Sequence, residues 1–323
     1  MIEVFLILLV FFIRLFPRLL KSDKTDSDTW YHLSSAVSIY NNKYKLPACN
    51  EGFTLGGKYD YPFLAHWIVA VLSGKNILKF ERFIGPIVDT IYVIIGFFYF
   101  SFLLSYYNIK VENQLINFLL LLVFSSTMLK ISTGPRVYSF TPRIFGELFI
   151  FIFLLGLHLY LLTNNTFFIV LSIIFGGLVL NTSTFGSQVL VFFSILLSLL
   201  LLTFMPIFVL FMASIFAWIS SKGHYKQILL QQLKFTKEYA LYGQYHHPAL
   251  LYRNKFPQYI QFFKSLWALE IRDAYIIFQR DLTFFNVFYK NFEFMLLVVL
   301  LPWFTIFDNF FFQYIYLLYL FFY

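Results

Sequence analysis

Apolar residues run along this chain in blocks of membrane length, separated by polar stretches of very unequal size. The first block, residues 2–16, is short for the roughly 20 residues of a spanning helix, and Arg14 and Arg18 are expected to snorkel and extend it. Further blocks cover residues 84–107, 115–130, 144–162 and 167–180. The stretch 189–220 is too long for one helix, and Thr203 and Pro206 mark where it breaks into two. Residues 294–307 and 310–323 return to apolar character, and the sequence stops inside that run, as a truncated or unusually short family member would. Between the blocks lie a first polar loop (17–82), a short second loop (132–143) and an amphipathic basic segment (221–293). The first loop carries two short helices. Trp30, Leu33, Val37 and Tyr40 recur at helical spacing, with His32, Ser35 and Asn42 on the other side. Pro62 suits a helix first turn, and the run 62–73 is too short to span, which puts His66 and Trp67 at interface depth. The pattern predicts an all-α, polytopic transmembrane helical bundle, one membrane domain over residues 1–323, with juxtamembrane helices in the first external loop.

Composition sharpens this picture. Hydrophobic residues make up 60% and charged residues 12%, against about a quarter charged in soluble domains. Mean hydropathy is +0.74. The single cysteine, Cys49, excludes an internal disulfide and a thiolate metal cluster. Phe16-Pro17-Arg18 stands where a cleaved leader would place small residues, so the first block is expected to be an uncleaved anchor. The net charge of +8 sits in the polar segments. It points to anionic lipid or phosphate partners and not to nucleic acid, for which no binding module is present. With residue 1 cytoplasmic, both loops face outward. The same counting puts 221–293 outward too, against its own excess of Lys and Arg.

The candidate chemistry lies in the two loops. In Asp26-Ser-Asp28-Thr-Trp-Tyr-His32, Asp28 opens a helix, where a carboxylate accepts backbone N–H bonds and is stabilised by the dipole. It is either a helix cap, with Asp26 a solvated loop acid, or a carboxylate that binds metal or takes a proton from an acceptor. The second loop carries Arg136, Tyr138, Arg143 and, just beyond, Glu147. Arginines at a membrane boundary are costly without partners or water, and they suit bidentate phosphate binding; the alternative is snorkelling to lipid headgroups. His246 and His247 are adjacent, do not share a helix face, and are read as structural.

Taken together, the two loops resemble the GT-C glycosyltransferases, integral-membrane enzymes that use polyprenyl-phosphate-linked sugars. The resemblance is to the N-terminal half of oligosaccharyltransferase catalytic subunits and covers roughly residues 1–165. Asp28-Thr-Trp30 matches the acid–x–Trp opening of a juxtamembrane helix in that family's first external loop. Tyr61-Pro62-Phe63-Leu64 matches a following helix start, and 134–147 falls where the second external loop belongs. The resemblance implies that Asp28, with Asp26 as auxiliary acid, activates the acceptor hydroxyl. It also implies that Arg136 and Arg143 hold the phosphate, and that His32, Tyr138 and Asp60 contact or orient substrate. A divalent metal such as Mg or Mn would fall to Asp28 and Glu147. Partner membrane subunits and an extracytoplasmic active face are implied as well. The chain departs from the family by placing arginines where an acidic pair helps bind metal, which favours metal-independent transfer. It also lacks the Trp-Trp-Asp motif and the large C-terminal domain, which argues against asparagine-linked transfer. The alternatives are a catalytically silent scaffold in envelope polysaccharide or glycolipid assembly, a lipid-linked oligosaccharide polymerase, and a transporter. The last expects charges at mid-membrane, where Asp89 is the main candidate.

Overall fold

A computed structural model describes residues 2–20, 27–48, 59, 61–108, 115–116, 119, 140–238 and 256–280. Among them the regular elements are all helices, with no strand. The predicted helices at 115–130 (apart from three residues), 294–307 and 310–323 lie outside the described residues, as does Cys49.

Helix α1 (Ile2–Leu20) runs antiparallel to the long α4 (Ile77–Tyr106), and their shared core includes Leu6, Val10, Val93 and Leu119. Two ion pairs cross the same interface. Arg14 Nε donates to Asp89 Oδ2 at 2.5 Å, and Arg18 Nη1 donates to Glu81 Oε1 and to the Glu81 carbonyl, both at 3.4 Å. The expectation that both arginines snorkel is therefore corrected: each is only 1% exposed. A cation that finds an acid on the facing helix avoids the cost of an unpaired charge in apolar surroundings. Gly85 makes room for this, because a Cβ there would overlap the Arg18 guanidinium. The pairing also explains why α4 begins before the expected 84. Glu81 is accommodated by Arg18, so a charge that ends the hydropathy run does not end the helix.

Helices α5 (Arg143–Thr163), α6 (Thr166–Thr182), α7 (Thr184–Leu200) and α8 (Met205–Ser220) follow through tight turns. Asn164 takes the left-handed conformation that closes α5, and the Asn165 side chain accepts from Phe167 N–H to open α6. Ser183 Oγ caps α7 by accepting from Gly186 N–H. The break expected at Thr203 and Pro206 is present, with Pro206 in the first turn of α8, where its missing N–H costs nothing. Small residues set the spacing. A Cβ on Gly177 of α6 would lie 2.9 Å from the Ala213 carbonyl of α8. Ser172 Oγ donates across to Phe153 O at 2.9 Å, and Asn181 Nδ2 to Ala217 O at 3.1 Å. This is the close, small-residue packing that membrane helices use in place of a hydrophobic driving force.

Helix α5 runs parallel to α4: Tyr92 packs on Phe151, Tyr99 hydrogen-bonds His158, and Tyr106 OH donates to Leu162 O. One end of the bundle therefore collects the start of α4, the start of α5 and the Ser183 turn. It also holds the Ser220–His224 turn into α9 (His224–Glu238) and two short helices, α2 (Ser27–Asn41) and α3 (Leu64–Ser73). The 3-10 turn Gly74–Asn76, entered at Gly74 with φ 51°, separates α3 from α4. By length and composition two segments can cross a bilayer: Leu64–Tyr106, and α5. Helices α6, α7 and α8 are equally apolar but have 17, 17 and 16 residues.

A second compact unit holds the end of α9 from Lys234, α10 (Phe256–Trp267) and α11 (Ile271–Arg280). The last two form a hairpin, closed by Ala268 N–H to Lys264 O and Glu270 N–H to Ser265 O.

Candidate functional site

The site begins with the side of α2 that turns inward. The sequence assigned Trp30, Leu33, Val37 and Tyr40 to the buried stripe and His32 and Ser35 to the exposed face. The buried residues are instead Thr29, His32, Leu33, Ser35, Ala36 and Ile39, while Trp30 is 52% exposed. The face is polar because its neighbours are polar. Thr29 Oγ1 donates to Phe140 O at 3.2 Å, which joins the start of α2 to the strand of chain entering α5. His32 Nδ1 shares a hydrogen bond of 2.9 Å with His66 Nε2 of α3. His66 Nδ1 in turn meets the Tyr59 hydroxyl at 2.7 Å. His66, expected at interface depth with Trp67, is fully buried, whereas Trp67 stays outside and donates Nε1–H to Tyr44 O.

Aromatic rings enclose this chain of polar groups. The His32 and His66 rings stack at 5.1 Å, and Tyr61 lies 5.6 Å from each. Tyr31 stands edge-on to His32 at 5.1 Å, and Phe140 does so at 6.3 Å. His224 of α9 approaches from the far side, 6.0 Å from Tyr59 and 5.6 Å from Phe63. Burial, reinforced by the charge of Arg143, lowers the His32 pKa to about 4. Burial pushes the Tyr59 phenol well above its ordinary value. At neutral pH both groups are uncharged, so they act as hydrogen-bonding groups and not as ions.

Arg143 opens α5. Its N–H is accepted by Thr141 Oγ1 at 3.1 Å, and its guanidinium lies over the Phe185 ring at 5.1 Å. It forms no ion pair among the described residues. Glu147, one turn along, is half-buried. Among the described residues no three His, Cys, Asp or Glu side chains gather as a metal site. Asp28 lies in the first turn of α2, which already begins at Ser27, so it stands inside the helix and not at the cap position the sequence assigned to it; only its backbone is described. Asp26, Asp60, Arg136, Tyr138, His246 and His247 lie outside the described residues.

Of the expected site residues, His32 and Arg143 are thus brought to one end of the bundle, beside the start of α2. Sequence reasoning missed Tyr59 and His66 as partners of His32. The signal was one histidine in each of two short helices of the same loop. No family model, no curated protein and no solved structure matches the chain.

Proposed function

We propose that this chain is a polytopic membrane glycosyltransferase of the GT-C kind. It would transfer a sugar from a polyprenyl-phosphate-linked donor to a lipid, glycan or protein acceptor at the extracytoplasmic face. The observation that carries the reading is the tie between Thr29 and Phe140, which brings together the two loops whose motifs resemble that family. In the reaction the acceptor oxygen attacks the anomeric carbon and the bond from that carbon to the phosphate oxygen breaks. The lipid phosphate leaves with the electron pair, and the acceptor proton passes to a carboxylate. Asp28 is the carboxylate this reading uses, and Arg143 is the described cation for the leaving phosphate. The apolar helices α4 to α8 supply the lipid-facing body. A scaffold role remains as a second reading, favoured by arginines standing where the resembled enzymes carry an acidic pair.

The experiment is sugar transfer from a short-chain polyprenyl-phosphate donor in nanodiscs. Asp28→Asn keeps the size of the side chain while removing the carboxylate, and should abolish transfer. Asp28→Ala should abolish it too, and either change removes the carboxylate's attraction to the helix N-terminus, about 0.3–1 kcal/mol of stability. A folded Asn variant that transfers at the wild-type rate removes Asp28 from the reaction, whereas a folded wild-type chain that transfers no sugar favours the scaffold.

A further inference from the structure

His66 has a hydrogen-bonding partner on each ring nitrogen, and this couples its tautomer to that of His32. If the Tyr59 hydroxyl donates to His66 Nδ1, then His66 carries its proton on Nε2 and donates to His32 Nδ1. His32 must then carry its own proton on Nε2. The opposite polarity requires the phenol to accept from His66 and to send its O–H elsewhere. In that case the Tyr59 proton would need another acceptor, in a setting only 2% exposed. The Ser35 hydroxyl acts on the same phenol but is itself buried without a hydrogen bond of normal geometry. The phenol is also the most acidic neutral donor of the three. These points select the chain in which Tyr59 donates.

Among the described residues the selected chain ends in an N–H without an acceptor. His32 is 5% exposed, and its Nε2 has no hydrogen-bond partner among the described residues. Arg143 stands three residues past Phe140, whose ring lies 6.3 Å from His32, and it has no ion pair among them either. One neutral donor and one cation that forms no ion pair among the described residues suit a ligand oxygen that carries negative charge, and a phosphoryl oxygen meets both demands.

We propose that Tyr59 and His66 are positioning residues that fix His32 as a neutral Nε2–H donor to a phosphoryl oxygen, which Arg143 shares. The inference deepens the reading above and rests on it only for the identity of the group bearing the phosphate. It also narrows the role of His32 within that reading, from contacting or orienting substrate to holding the leaving group.

The test uses the full chain in nanodiscs of zwitterionic lipid, with inorganic phosphate and farnesyl phosphate as separate probes. Nitrogen-15 histidine spectra of the wild type at pH 7 should show both His32 and His66 protonated at Nε2. Farnesyl phosphate should shift the His32 Nε2 signal. Inorganic phosphate shifting it equally would assign the site to free phosphate and still support the donor role. Tyr59→Phe should release the tautomers into a mixture. His32→Asn, which moves the amide away from the Nε2 position, should weaken farnesyl phosphate binding about tenfold, while His32→Gln, which keeps a donor there, should retain most of it. A His32 proton on Nδ1, or unchanged affinity in both Tyr59→Phe and His32→Asn, overturns the proposal. If phosphate binding depends on His32 and no sugar is transferred, the enzyme reading fails and this one stands. Normal transfer by His32→Asn with unchanged binding does the reverse.

Discussion

At the scale of single residues, His32 makes a pH prediction with a definite sign. Its folded pKa, about 4, lies below the ordinary 6.5, so between these values the unfolded chain binds a proton that the folded one does not. The resulting stability is fully present above about pH 6.5 and is lost as pH falls toward 4, by up to on the order of 3 kcal/mol. Thermal melting in detergent from pH 7 to pH 4 should show this fall, and His32→Gln should make it shallower, leaving the part that comes from His66, whose pKa burial also lowers. An unchanged slope in that variant would move the titration to another group. Asp28, His32 and Arg143 were legible in the sequence as ionisable groups crowded against apolar runs. Their partners were not. Tyr59 and His66 are an ordinary tyrosine and an ordinary histidine until α2 and α3 pack, and pairing across 34 positions leaves no local pattern. The same packing turned His32 and Ser35 inward and left Trp30 outside, while Leu33 stayed buried as the pattern required, because periodicity assumes an apolar neighbour and here the neighbour is a histidine.

At the scale of elements, the α1–α4 interface turns on paired charges. Arg14 Nη1 and Nη2 are buried without a partner, so its bond to Asp89 is what offsets the burial of that guanidinium. Asp89→Ala should therefore destabilise by about 3–5 kcal/mol, while the double change Arg14→Met with Asp89→Leu should recover most of the loss. Chemical denaturation of the single and double variants checks this, and a double variant as weak as the single would show that the acid acts by packing alone. Gly85→Ala should cost about 1–3 kcal/mol, because the new methyl overlaps the Arg18 guanidinium and displaces it from Glu81. Hydropathy located α5 to α8 and the break before Pro206, since lipid-length apolar runs and prolines are local signals. It misplaced the start of α4 because hydropathy scores Glu81 alone, whereas the helix contains it as half of a pair.

At the scale of the whole molecule, the alternation of helices and the distribution of charge make opposing claims about orientation. The contacts place Lys75, Arg143 and Lys222 at the end that carries α2 and α3. The turns at the other end, 106–108, 163–166 and 200–204, contain no Lys or Arg. Counted by the positive-inside rule, the histidine end belongs in the cytoplasm. The proposed function requires it outside. The rule weakens for loops near 60 residues, which describes the loop around α2 and α3, and cations that bind a phosphate are retained for chemistry whatever the topology. We therefore expect the histidine end to face outward. With Cys49 replaced by Ser, single cysteines at Asn76 and Lys222 should react with an impermeant thiol reagent from outside intact cells. Cysteines at Asn108, Asn165 and Thr203 should react only after permeabilisation. If Asn165 and Lys222 label from the same side, the order of α6 to α8 across the bilayer is wrong. If the two groups separate but in the reverse sense, the bundle stands and external transfer does not. The Tyr59–His66–His32 chain would then face the cytoplasm, where its phosphoryl ligand would have to be presented on the inner leaflet.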